Sequence, residues 1–393
     1  MLLRPDAIIL PGGKIEKGLE VTIAGGKISR IEPWTSENRK EKGLLLSAAF
    51  VNAHSHLEYF DLQDSFSGLP YWSWIRSLTI AKSSRDLEYV AKQAKVAATL
   101  NVNSGVTAIG EHCDWTVCGK AIHDVELDGR IFQELIVLTE HENPYPKLEL
   151  VYANARESAT QSNLPTLPSP HATYTVVPNV LSFVGSSFRP LSIHAAETEI
   201  ENIFFEKGEG EIAELYRKYE VPIKIQNCTA IEHLHRHNCL HSSVQLVHCC
   251  AASDSDILLM AKERVTVAHC PRSNAALQCP PAQIAKMRRL GIKVGIGLDS
   301  AASSGEINYF DEMRSALATS IKINDPLAPG EIYDMATHEG ANSIFLNRNW
   351  KTEVGGQPDL LLLNGERINS VAELIEQGNP DSIVEMIRIR GVK

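Results

Sequence analysis

No run of about 18 apolar residues, the length that would span a bilayer, occurs anywhere in the 393-residue chain. The opening residues 1–10, MLLRPDAIIL, carry Pro5 and Asp6 where a secretion signal needs an unbroken apolar segment, so a cytoplasmic protein without membrane contact is expected. Positive charge is also in deficit. Lys and Arg number 38 against 48 Asp and Glu, a net charge of −10, without the clustered cations that displace counterions from phosphates. A nucleic-acid or anionic-membrane partner is thereby excluded, and a small neutral or cationic substrate suits the balance better. The 8 cysteines are scattered, with Cys249, Cys250 and Cys270 inside apolar runs, which argues for buried reduced thiols and against a disulfide-stapled secreted domain. Low-complexity tracts and regular repeats are missing too. An apolar share of 44% with 22% charged residues is ordinary globular usage, which leaves a folded enzyme or binding protein.

The order of elements implies an α/β fold. Short apolar runs each end in polar functional residues and are followed by a helical stretch. They lie at Leu45 to Asn52, Val106 to Gly110, Arg130 to Val137, a weak one ending near His171, Leu191 to His194, Val244 to His248, Val265 to His269 and Ile292 to Leu298. Between them, Leu87 to Leu100, Ile203 to Tyr219 and Ser255 to Glu263 have helical apolar spacing. Strands alternating with helices imply a parallel sheet, and eight units over about 250 residues imply a TIM-like (β/α)8 barrel. At the ends, Glu20 to Glu32 reads as a hairpin turning at Gly25-Gly26, and Gly355 to Gly365 as a buried strand leaving a turn. Residues 1–47 and 346–393 are therefore expected to build a small β-sandwich domain around a barrel of residues 48–345.

Active groups in such barrels project from the carboxyl ends of strands, and these ends are rich in His, Asp and Glu. His54 and His56 follow the first run, and a period of two sends both imidazoles the same way. His194 ends the fifth run with Glu197 in the next turn. Asp299 follows VGIGL, where a carboxylate is costly unless it is paired, bound to metal or used as a helix cap. Three His nitrogens and one carboxylate oxygen leave a position for water, the open arrangement of a catalytic metal site. Glu197 is placed to carry a proton to a leaving nitrogen, and His248, ending VQLVH, to polarise or orient. Glu111, Glu134 and Trp74 are candidate substrate contacts, although tryptophans at 72 and 74 equally suit packing. His269 reads as packing beneath the pocket, and the His-rich run 232–241 as a solvated helix face.

His54-Ser55-His56-Leu57, His194-Ala195-Ala196-Glu197, Val247-His248-Cys249, Ala268 to Asn274 (AHCPRSN) and Gly297-Leu298-Asp299-Ser300, in that order, resemble the amidohydrolase superfamily, and within it the cytosine deaminase and chlorohydrolase-like branch. The resemblance implies metal ligation by His54, His56, His194 and Asp299, acid–base work by Glu197, support from His248, and substrate contact by His171 in SPHATYTV. Two-metal members carry a bridging lysine at the fourth strand. None stands near His171 in the sequence, so one divalent ion is implied, zinc first, with iron suited to the same donors. A homodimer is the family expectation. Deamination of a purine-like or other aminated heterocycle leads, with an aminofutalosine-type nucleoside suggested by Leu57-Glu58-Tyr59 and Phe132-Gln133-Glu134. Glu134 stands where an arginine binds a substrate carboxylate in some members, which counts against adenosylhomocysteine. A cyclic amidase, a halohydrolase and a metal-containing binding protein are the alternatives.

Overall fold

The computed structural model describes residues 1–36, 40–366 and 368–389. Strands from both ends of the chain form two sheets. β1 (Leu2–Leu3), β4 (Leu19–Ala24) and β5 (Lys27–Pro33) make one, in the order β1-β4-β5. β2 (Ala7–Leu10), β3 (Lys14–Lys17), β6 (Leu44–Ala48), β15 (Leu360–Asn364) and β16 (Ile383–Ile387) make the other, in the order β16-β15-β6-β2-β3. Leu3, Val21 and Ile28 of the first share one buried cluster with Ile8, Leu46, Leu360, Leu362 and Ile387 of the second. The β4–β5 hairpin turns at Gly25 and Gly26, both with positive φ (60° and 71°), a conformation that favours glycine.

The central strands are β7 (Phe50–Ser55), β8 (Val106–Cys113), β9 (Asp128–Leu135), β10 (Thr166–Pro170), β11 (Leu191–Ala195), β12 (Val244–His248), β13 (Thr266–His269) and β14 (Lys293–Ile296). They form two parallel sheets, β10-β9-β8-β7 and β11-β12-β13-β14. The sheets meet at their carboxyl ends: His194 donates its N–H to the His171 carbonyl (2.9 Å), and Asp299 donates its own to the His54 carbonyl (2.9 Å). Parallel neighbours need long crossovers. These run through α1 (Tyr71–Lys82), α2 (Leu87–Asn103), α3 (Val117–Asp124), α4 (Tyr145–Ser162), α5 (Pro178–Ser187), α6 (Glu199–Lys207), α7 (Glu211–Lys218), α8 (Ala230–Arg236) and α9 (Asp254–Glu263). Leu191, Ile193, Leu246, Val267 and Ile296 pack into the large core beneath these helices, while the alternate residues Val51, Ala53, Ala108, Val247 and Ala268 form a second cluster with Ile344 and Trp350. Burial on both faces explains why the strands read as nearly continuous apolar runs.

Several expectations need correction. The run Leu45 to Asn52 is two strands in different sheets, parted at Ala49, whose N–H goes to Asp359 (2.7 Å) and whose carbonyl accepts from the Trp350 indole (2.9 Å). The helical stretch Ile203 to Tyr219 is broken into α6 and α7 by Gly208 and Gly210, both at positive φ. His233 is buried, not solvated, because its ring stacks on Phe205 (4.2 Å between centroids), although His235 and Arg236 on the same helix are exposed. The weak fourth run does form β10, paired in parallel with β9 from Thr166 to Pro170. Seven of the eight cysteines are buried and all are free. Among the described residues no helix is long and apolar enough to cross a membrane.

Candidate metal centre and its cavity

Four segments converge where the two parallel sheets meet. β7 presents His54, with His56 just past its end, and their rings lie 4.9 Å apart at 89°. β11 presents His194. Asp299 follows β14 in a left-handed turn (φ 57°). Gly297 just before it has no room for a side chain: a Cβ there would lie 2.8 Å from the His54 Cβ, so glycine lets the segment approach the first histidine.

The hydrogen bonds around these side chains select which atoms face one another. His194 Nδ1 donates to the His171 carbonyl (2.7 Å), which leaves Nε2 unprotonated. Asp299 Oδ2 accepts from the Ser273 (2.5 Å) and Ser303 (3.1 Å) hydroxyls, so Oδ1 is the open oxygen. His54 Nδ1 lies 3.0 Å from His112 Nδ1, and His54 Nε2 has no partner. The remaining atoms face each other closely: His56 Nε2 to His194 Nε2 is 3.4 Å, His54 Nε2 to Asp299 Oδ1 is 3.5 Å, and His56 Nε2 to Asp299 Oδ1 is 3.9 Å. Metal–nitrogen and metal–oxygen bonds of roughly 2.0–2.2 Å at tetrahedral angles put neighbouring ligand atoms about 3.3–3.6 Å apart. Two of the three separations fall in that window, and the triads His54/His56/Asp299, His54/His194/His248 and His56/Glu134/His194 each offer ligand atoms within 4.8 Å of one another, so the cluster suits a divalent metal.

Electrostatics agree with that use. Burial, then the neighbouring imidazoles, hold His54 well below its ordinary value. Burial likewise outweighs Asp299 at His56, and brings His194 to about 4. Neutral imidazoles keep the lone pairs that metal binding needs. Burial alone would raise Asp299, but His248, His56, the Ser273 hydroxyl and His194 together hold it below the usual carboxylate range. Glu197 behaves oppositely. Burial, then the negative Asp299 and Glu201, push it well above its ordinary value against the Tyr71 hydroxyl. Its Oε1 is 3.5 Å from His248 Nε2, and His248 Nδ1 is fixed by the Asn274 amide oxygen at 2.8 Å.

His56, Glu134, His171, His194, Glu197, His248 and Asp299 line a cavity of about 660 Å³, which Tyr71, Trp72, Trp74 and Tyr174 also line. Most of the sequence candidates thus meet at this cavity; His54 is not itself a lining residue, although its ring stands 4.9 Å from those of His56 and His194. Glu111 is not among the lining residues, and its carboxylate accepts the Leu57 N–H (2.9 Å) next to His56. Trp74 borders the cavity while its indole donates to the Ala302 carbonyl (2.9 Å), so it packs as well as lines. Burial, against the Lys82 ammonium, raises Glu134 to about 8. That shift favours the protonated form and weakens the repulsion of a substrate carboxylate expected from sequence. His269 is buried and lies outside the lining.

Sequence reasoning missed the supporting groups. Asn274 orients His248, Ser273 and Ser303 orient Asp299, and His112 contacts the metal-remote nitrogen of His54. Lys82, ion-paired to Asp114, also borders the cavity. Asn274 and Ser273 sit inside the AHCPRSN motif, so that signal was on the page; His112 could be found only by knowing that β8 lies beside β7. Partners of this kind tune metal affinity by about 10–100-fold. His112→Ala is expected to weaken metal binding by about that factor in a chelator competition with the fold intact by circular dichroism. Unchanged affinity would remove His112 from the site's support.

Residues 45–391 match the amidohydrolase family. A 5-methylthioadenosine/S-adenosylhomocysteine deaminase of Desulforudis audaxviator is 27% identical over 381 residues, covering 92% of this chain and 84% of its own. An aminodeoxyfutalosine deaminase of Deinococcus radiodurans is 28% identical over 334 residues, covering 78% of this chain and 76% of its own. An adenosine deaminase from Xanthomonas campestris, solved with bound zinc, superposes with a TM-score of 0.80 at 20% identity, over 99% of this chain and 91% of that one.

Proposed function

From the premise that this chain belongs to the amidohydrolase family, we propose that it is a hydrolytic deaminase of an aminated purine nucleoside. The observation that carries this reading is that His54, His56 and Asp299 offer ligand atoms within 4.8 Å of one another, with His194 Nε2 3.4 Å from His56 Nε2, while His56, His194, Asp299 and the buried Glu197 border a cavity large enough for a nucleoside. His54, His56, His194 and Asp299 would hold one divalent ion, zinc by preference for this nitrogen-rich set, with iron(II) compatible. Such an ion supplies Lewis acidity and makes water acidic enough to react at neutral pH.

The chain's own groups account for the proton movements. Water adds to the ring carbon that bears the amino group, the C–N bond breaks, and ammonia leaves carrying a proton. As a carboxylate, Glu197 takes that proton from water and returns it to the leaving nitrogen. His248, held by Asn274 with Nε2 toward Glu197, orients the exchange. Glu134 and His171 line the cavity as hydrogen-bonding groups for the heterocycle, with Trp74 and Tyr71 as aromatic wall. The names of the sequence relatives, deaminases of adenosine-type nucleosides, support this substrate class. We further read the eight parallel strands as one closed barrel of residues 48–345, and the end sheets as a β-sandwich of 1–47 and 346–393, of which 37–39, 367 and 390–393 lie outside the described residues.

The test is ammonia release by metal-quantified enzyme across 5′-methylthioadenosine, S-adenosylhomocysteine, aminodeoxyfutalosine, adenosine, guanine and cytosine. Adenosine-type nucleosides are expected to give ammonia and the 6-oxo product in equal amounts. A panel silent for ammonia, alongside turnover of a cyclic amide or a chlorinated heterocycle, overturns the deaminase reading.

A further inference from the structure

Glu201, on the first turn of α6, is 2% exposed and is not among the residues lining the cavity, yet its carboxylate gathers three donors. Oε1 accepts the Glu197 N–H (2.7 Å), and Oε2 accepts the Ala196 N–H (3.0 Å) and the Thr173 hydroxyl (2.6 Å). Two of the three partners are backbone N–H groups, which can only donate, so Glu201 serves them as an acceptor.

The turn it grips is the one that aims Glu197. Ala196 stands at φ 49°, a conformation that a non-glycine residue holds only when its surroundings impose it. The carbonyls of the same turn are taken by the segment after β12, through the Cys249 N–H to Ala195 (3.2 Å) and the Ala251 N–H to Ala196 (2.7 Å). Thr173 lies two residues beyond His171, whose carbonyl fixes the His194 ring. One buried carboxylate thus ties the Glu197 turn to the loop bearing His171, while the carbonyls tie it to the segment that follows His248.

We infer that Glu201 is a positioning residue for the reaction: it fixes the turn 196–198 so that the Glu197 carboxyl stays in register with His171 and His248. The inference rests on the reading of Glu197 as proton carrier. A merely structural helix-capping role would lower thermal stability and leave turnover per bound metal intact. A positioning role acts on kcat, since a misplacement of about 1 Å costs about 10²-fold in rate.

The experiment compares Glu201→Ala, Glu201→Gln, Thr173→Val and Glu197→Gln with wild type. It measures kcat and KM on 5′-methylthioadenosine, or on the nucleoside of the panel that turns over fastest, together with metal content and melting temperature. Glu201→Ala is expected to lose about 10²-fold in kcat per bound metal with KM nearly unchanged. Glu201→Gln keeps one acceptor oxygen but turns an NH2 toward backbone N–H groups, and falls between. Thr173→Val loses several-fold alone and nothing more in the Glu201→Ala background, where its partner is gone. If Glu201→Ala does not fold, the Gln and Val variants decide. Wild-type kcat per metal in those two, with Glu197→Gln inactive, removes the clamp and leaves the proton carrier standing. Wild-type kcat in Glu197→Gln removes the premise itself.

Discussion

Asp299→Ala is expected to strip the protein of its metal and lower kcat by at least about 10³-fold, the rate equivalent of several kcal/mol of lost charge stabilisation. The reason lies in the charge inventory of the site. His54, His56 and His194 are all held neutral by burial, so Asp299 is the anion that offsets a divalent cation among these four. Its Oδ1 also lies 3.5 Å from His54 Nε2 and 3.9 Å from His56 Nε2. Asp299→Asn keeps an oxygen of the right shape and loses the charge, which separates geometry from electrostatics. If charge dominates, Asn resembles Ala. Metal per protomer by elemental analysis, beside steady-state rates, gives the answer. A second readout comes from linkage: anything that binds only the folded state raises its stability by RT ln(1 + [L]/Kd). Chelation should lower the melting temperature of the wild type and leave Asp299→Ala where it was. Full metal content and turnover in Asp299→Ala would dismantle the proposed centre.

How far this site could be read in the sequence depended on the distance over which each signal acts. His54 and His56, His194 with Glu197, and Asp299 after VGIGL were legible because each stands at a strand's carboxyl end, and the strands announce themselves by apolar runs. What sequence could not supply was adjacency. That His112 touches His54, that Lys82 sits near Glu134, and that Glu111 serves Leu57 and not the cavity depend on contacts between segments far apart in the chain. Protonation was equally hidden. Glu134 and Asp299 are both carboxylates at strand ends, yet burial lifts one to about 8 while its neighbours hold the other low. In the fold, the β6–β7 division at Ala49 was illegible because the run stays apolar across it; only the departure of its N–H to Asp359 and its carbonyl to Trp350 marks the change of sheet.

Glu197→Gln is the sharper test of chemistry, because it leaves the metal ligands untouched. Glutamine has nearly the shape of a protonated glutamate and can fill the same space beside His248, but it can neither take a proton from water nor return one to nitrogen. General acid–base transfer contributes about 10²–10⁴-fold, and kcat is expected to fall within that range with metal content intact and KM little changed. Burial has already prepared the wild-type group for this work. A carboxyl raised well above its ordinary value is a better match for proton transfer to a leaving nitrogen than an exposed glutamate. The two substitutions fail in different ways. Asp299→Ala loses the ion and the rate together, while Glu197→Gln keeps the ion and loses the rate. A Glu197→Gln enzyme that releases ammonia at the wild-type rate would mean that the proton travels by another group, and His248, 3.5 Å away, would be the first to test.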